Sequence, residues 1–168
     1  MLNVNKLKIF EAILIFPFTV LTVIPYFILS RFKYKISLLN DWQFYVAVCF
    51  ASFGLFFFIW TVWLFWKLGK GTLAPWNPPK KLIISGPYCY VRNPMITSVC
   101  LMLIAESFYF QSWAIVAWFV IFVILNMIYF PCVEERGLKK RFGAEYKEYC
   151  KNVPRYIPRL TAWHSTKK

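Results

Sequence analysis

From residue 95 to residue 133 the chain carries a single charge, Glu106, in 39 positions. As one helix at 1.5 Å per residue that stretch would run about 58 Å, nearly twice the hydrocarbon core of a bilayer. It therefore predicts a helical hairpin, with spans at 95–110 and 113–132 turning near Gln111 and Ser112. Two further uncharged runs, 12–29 and 44–66, precede it. A chain of 168 residues that is 60% hydrophobic and 21% aromatic has too little interior to hide such runs from water. The expectation is an all-α membrane protein of one domain, 1–168, with about four transmembrane helices and an amphipathic C-terminal helical tail. A soluble globular enzyme and a disordered chain are both excluded by composition.

The charges sort across these spans. Of 20 Lys and Arg residues, only Arg31, Lys33 and Lys35 fall between the first two runs. The others flank the opposite ends of the runs: Lys6 and Lys8 before the first, five in the loop 67–94 and ten in the tail 133–168. The positive-inside rule places that loop, the tail and both termini in the cytoplasm. The basic residues border apolar runs rather than forming a separate domain, so the partner implied is an anionic membrane surface and not nucleic acid. Five cysteines, none at C-x-x-C spacing, and one histidine, His164, indicate neither a disulfide framework nor a metal site.

Two polar pieces are long enough to carry chemistry. The loop 67–94 holds Gly69, Gly71, Pro75, Pro78, Pro79, Gly86 and Pro87, a density that forbids a regular helix. Pro94 suits the first turn of the third span, with Asn93 as its N-cap. In the tail, Phe142, Tyr146, Tyr149 and Val153 form an apolar stripe at helical spacing among Lys139, Lys140, Arg141, Lys147 and Lys151. Gly143 is the expected break, Pro154 and Pro158 the expected end, and anionic headgroups the expected support for this helix. Glu134 and Glu135 lie between the last span and this helix; taken alone they favour a helix N-terminus and an ion pair with Lys139 or Arg141. Asn126, inside the fourth span, is expected to bond between helices.

The string Gly86-Pro87-Tyr88-Cys89-Tyr90-Val91-Arg92-Asn93-Pro94, the hairpin, Glu134-Glu135, Leu138, Arg141-Phe142-Gly143-Ala144-Glu145-Tyr146, Tyr149 and Val153-Pro154-Arg155-Tyr156-Ile157-Pro158-Arg159 come in a telling order. Together they resemble the isoprenylcysteine carboxyl methyltransferase family and its relatives among phospholipid methyltransferases, over about residues 70–159. The resemblance implies a membrane-embedded enzyme that uses S-adenosylmethionine at the cytoplasmic face. It implies cofactor-binding roles for Lys81, Leu82, Ile83, Tyr88, Arg92, Asn93, Glu134 and Glu135, with Arg92, Asn93 and Glu134 at the reacting centre and no metal. It also implies a lipophilic acceptor, either a prenylated-cysteine-like carboxylate or a lipid amine. The membrane would be a cell inner membrane, or the endoplasmic reticulum in a eukaryote.

Three positions depart from the family pattern. The family His is Asn93 here, an amide that donates and accepts hydrogen bonds but cannot become cationic. The substrate-binding Arg of eukaryotic members is Phe130, and the Tyr after the Arg-His-Pro motif is Ile96. An ionised carboxylate acceptor needs no general base at pH 7, so the scarcity of histidine is no obstacle. An amine acceptor must first lose a proton, for which Glu134 or Glu135 is the nearest base. Competing readings are a nicotinamide-dependent sterol-type reductase, whose tail is similar but begins with an Arg-Asp pair, and a non-catalytic protein that binds lipid.

Overall fold

A computed structural model describes residues 15–68 and 82–164. Among them every regular element is helical. The first helix, α1 (Ile15–Arg31), widens into a π-turn at Thr19–Val23. The cause is Pro25, which has no N–H to donate. Ile24 N–H bonds Thr19 O, one residue further back than in an α-helix. That leaves the Val20 carbonyl without a partner in its own helix, and the indole N–H of Trp118 donates to it across 3.1 Å. A freed carbonyl in an apolar setting must be satisfied from a neighbouring helix, and this one is.

An extended segment then leads to α2 (Trp42–Leu68). It runs against the far end of the hairpin: Lys35 N–H donates to Phe110 O, Ser37 N–H to Tyr109 O, and Ser37 Oγ to Phe108 O. The third helix, α3 (Pro94–Tyr109), packs closely on α2. A Cβ added to Gly54 of α2 would stand 2.8 Å from Met102 Cγ and 3.0 Å from the Ser98 carbonyl, so glycine is what lets these helices meet. The chain turns at Gln111, which adopts φ +42°, and returns as α4 (Trp113–Tyr129). The hairpin thus turns where the apolar run predicted. Val20, Val99, Leu103 and Phe122 bring α1, α3 and α4 into one core.

Among the described residues two helical stretches are long and apolar enough to cross a membrane, Trp42–Leu64 and the one beginning at Trp113. Of the other two expected spans, α3 has 16 residues, about 24 Å against a hydrocarbon core of about 30 Å, and α1 is described from Ile15, inside the expected run 12–29. Asn93 occupies the N-cap position of α3 with Pro94 behind it, but its side chain makes no capping hydrogen bond. Asn126 also departs from expectation: its amide donates to Phe122 O of its own helix at 2.8 Å rather than to a neighbour.

The tail does not begin afresh after the fourth span. α4 runs through a π-turn, Phe130–Glu134, directly into α5 (Glu135–Asn152). Again a proline, Pro131, lies in the widened turn, and Glu135 N–H bonds Phe130 O. Gly143 breaks α5 at φ +52°, as its residue type predicted.

Candidate functional site

The site is made by sewing the tail onto the loop. Residues 82–84 are extended, so their side chains alternate. Leu82 and Ile84 pack on Tyr146, Tyr149 and Val153 of the tail, while Ile83 turns to Leu64 and Trp60 at the end of α2. The apolar stripe of α5 is therefore covered by protein and does not lie on headgroups; its cations, Lys139, Lys140, Arg141 and Lys147, are the exposed side. Gly86 opens a 3-10 turn, Gly86–Cys89, at φ +56°, and a Cβ there would stand 2.9 Å from Leu64 Cδ1. Beyond the turn the main chains pair. Trp163 N–H donates to Cys89 O, Arg159 N–H to Tyr90 O, and Arg92 N–H to Pro154 O, all within 3.0 Å. The Tyr149 hydroxyl donates to Tyr88 O at 2.7 Å.

Charge organises the centre. Glu135 is 1% exposed, and a carboxylate so placed needs paired donors to remain ionised. It has them. Arg92 Nη1 and Arg155 Nε each approach Oε1 at 2.7 Å, Arg155 Nη2 approaches Oε2 at 2.9 Å, and Lys139 stands 3.8 Å from Oε2. Arg92 Nη1 also donates to Cys150 Sγ at 3.0 Å. Loop, helix and tail thus meet on one acid.

Its neighbour is different in kind. Glu134, on the π-turn, forms no ion pair among the described residues. Burial, and then the negative charge of Glu135, push its carboxyl up to about 7. Tyr88 is buried and its hydroxyl is pushed up, by burial first, then by Tyr149 and Glu134. Glu134 is thus one of the charges that act on the Tyr88 hydroxyl.

Beside this centre a cleft of about 140 Å³ opens between α3 and α4. Ile96, Thr97 and Cys100 form one wall, Val123, Asn126 and Met127 the other, and Asn93, Arg155 and Tyr156 line the remainder. Among the described residues Asn93 Nδ2 and Arg92 Nε are buried and make no hydrogen bond, and the buried Tyr156 hydroxyl has Arg155 beside it. Tyr156 sits beside Arg155, with the guanidinium carbon 5.6 Å from its ring centre, and helps hold that charge without a well-formed hydrogen bond.

Of the residues implied by the sequence, Tyr88, Arg92, Asn93, Glu134 and Glu135 come together here. The side chains of Leu82 and Ile83 are taken up in packing, so only their main chain is open to a ligand. Lys81 lies outside the described residues. Glu135 holds Arg92 and Arg155, and it is Glu135, not Glu134, that pairs with Lys139. Ile96 and Phe130, two of the three departures, sit in apolar surroundings: Ile96 lines the cleft and Phe130 is buried. Arg155 and Tyr156 stood in the quoted string without an assigned role; the only signal for them was their place between Pro154 and Pro158.

Among curated proteins and among solved structures no match to the chain is found. A family model, phospholipid methyltransferase, matches residues 42–145. That range is more than half of the chain and runs from the start of α2 through the loop, Arg92, Asn93 and both glutamates into α5. The chain belongs to the phospholipid methyltransferase family.

Proposed function

We propose that this membrane methyltransferase uses S-adenosylmethionine, bound at the cytoplasmic face between the loop before α3 and the π-turn after α4, to methylate a lipophilic acceptor of the isoprenylcysteine-carboxylate type. The observation that carries the reading is the family match together with Glu134, an acid without an ion pair among the described residues, and two buried donors of the loop that make no hydrogen bond there, Asn93 Nδ2 and Arg92 Nε.

The residues present suit such a cofactor. It brings an activated methyl group on a cationic sulfonium, together with an amino group and a carboxylate. Glu134 offers a carboxyl without an ion pair among the described residues to the amino group, the cation that S-adenosylhomocysteine also carries. Arg92 Nε has no partner and is available to a carboxylate, while its Nη1 is fixed by Glu135, so the guanidinium is held in one orientation. Asn93 presents an unused amide N–H in place of the family histidine. Glu135 is spent on Arg92 and Arg155, and its part is to position them. Four spans with both termini cytoplasmic remain our reading of the topology, supported by the charge distribution.

Glu134 also supports a second reading, in which the acceptor is a lipid amine. A carboxyl pushed up to about 7 can take a proton from an ammonium at neutral pH.

Isothermal titration of the detergent-purified protein with S-adenosylhomocysteine tests the cofactor. Saturable binding, weakened about tenfold or more by Glu134→Gln, is expected. No binding in the unaltered protein, or binding that Glu134→Gln leaves unchanged, overturns the reading.

A further inference from the structure

We propose that Cys150 is a positioning residue: with Glu135 it occupies both N–H groups of Arg92 Nη1, and so turns the Nε–H edge of the guanidinium toward the carboxylate of the cofactor. This rests on the S-adenosylmethionine reading and adds to it a residue that acts through Arg92 without touching the ligand.

A guanidinium carries five N–H groups in one rigid plane, two of them on Nη1. In Arg92 both have acceptors, Glu135 Oε1 at 2.7 Å and Cys150 Sγ at 3.0 Å. A single acceptor would let the plane pivot about that contact; two acceptors on one nitrogen fix it. What remains is the edge that points away from them. There Nε is buried and makes no hydrogen bond among the described residues. The side chain is 10% exposed, and a cation so enclosed with an open donor suits an anionic ligand. A thiol is a weak acceptor, so it sets the orientation of the plane and leaves most of the charge of Arg92 to that ligand.

The helical repeat alone does not bring this sulfur to Arg92. Glu135 and Cys150 both belong to α5, and along a straight helix they would stand about 22 Å apart. They meet on one nitrogen because Gly143 breaks the helix between them at φ +52°. The second half of α5 then carries Cys150 into the covered side of the tail, packed with Tyr146, Tyr149 and Val153. The Tyr146 hydroxyl, one turn earlier, bonds the same sulfur and holds it in place. Among the described residues no other cysteine sulfur takes an N–H from a cation, and Cys49 and Cys132 are exposed.

The test is isothermal titration of the detergent-purified full chain with two probes: S-adenosylhomocysteine, and S-adenosyl-3-thiopropylamine, the same molecule without its carboxylate. The unaltered protein should bind the first at least tenfold more tightly. Cys150→Ala should weaken S-adenosylhomocysteine about fivefold and change the amine less than twofold. Cys150→Ser keeps an acceptor and should stay within about twofold of the unaltered protein for both probes. A cysteine needed only for packing would move the two probes alike. Parallel losses, no change in either probe, or a serine variant as weak as the alanine one would overturn the proposal. Should Cys150→Ala not elute as a single species, Cys150→Val fills the volume without an acceptor and carries the same expectation. The two claims fail separately. Binding of neither probe by the unaltered protein removes the cofactor reading and the proposal with it; equal binding of both leaves the cofactor in place and overturns the role of Arg92 and Cys150 alone.

Discussion

Replacing two adjacent glutamates by glutamine should have opposite consequences. Glu135 is sealed from solvent, with 2% of its side chain exposed, and its charge compensates Arg92 at 10% and Arg155 at 28% exposure. Glu135→Gln keeps the shape but removes the negative charge, and one amide oxygen cannot serve three close N–H groups at 2.7, 2.7 and 2.9 Å. Breaking a buried ion pair from one side costs about 3–5 kcal/mol, because the other charge stays buried and uncompensated. The surviving amide oxygen keeps one bond, which puts the expected cost near the lower end, about 3 kcal/mol. Lys139, at 3.8 Å and half exposed, adds little, so Lys139→Gln should stay within about 0.5 kcal/mol. Glu134→Gln should cost almost nothing in stability. Its carboxyl is raised, so the folded state holds the proton more tightly than the unfolded chain. Stability from this group is therefore present at low pH and lost as pH rises from the ordinary carboxylate range through about 7. The glutamine variant should be indifferent to pH across that window and at pH 8 no less stable than the unaltered protein. The assay is reversible unfolding in mixed dodecylmaltoside and dodecyl sulfate micelles, followed by tryptophan fluorescence. A Glu135→Gln cost below about 1 kcal/mol, or a Glu134→Gln cost of the same size as its neighbour's, would refute the assignment of clamp and free acid.

If Glu134 meets the cationic part of the ligand, S-adenosylhomocysteine affinity should fall about tenfold per pH unit below about 7 and level off above it, and Glu134→Gln should flatten the profile; calorimetry at pH 5.5, 6.5, 7.5 and 8.5 reads this. Gly86→Ala should destabilise by about 1–3 kcal/mol in the same unfolding assay, since φ +56° and the contact at 2.9 Å with Leu64 both oppose a side chain. Trp118→Phe should cost about 0.6–1.7 kcal/mol by leaving the Val20 carbonyl unpartnered, and a neutral result would show that another donor reaches it.

The parts of the fold that could be read from the chain were those fixed by local pattern. The hairpin turn at Gln111, the break at Gly143 and the stripe of Tyr146, Tyr149 and Val153 each follow from residue type and spacing within a few turns of helix. What could not be read depended on partners distant in sequence. Gly54 lies in an apolar run with no periodic mark, and only the approach of α3 explains it. The tail stripe asked for an apolar partner but did not say which; Leu82, Ile84 and Trp163 supply it, where headgroups were expected. Which glutamate is buried was equally hidden. The π-turn at Phe130–Glu134 adds a residue to the helical repeat, so a count of 3.6 carried from α4 into α5 assigns the wrong face to each acid.

That extra residue links fold to chemistry. Without a widened turn next to Pro131, α4 would present α5 rotated by about one residue, roughly 100°. Glu135 would then leave Arg92 and Arg155, and the tail would lose the charge that holds Pro154 against the loop. The consequence reaches the cleft, because Arg155 is bound by Glu135 and Tyr156 follows it directly in the chain. Residues 42–145, which match the family, contain the loop, both glutamates and two walls of the cleft. Arg155 and Tyr156 lie beyond that range and complete the lining. In a chain organised this way an exchange at Arg155 acts on the loop and the cleft together, because Glu135 ties Arg155 to Arg92 of the loop.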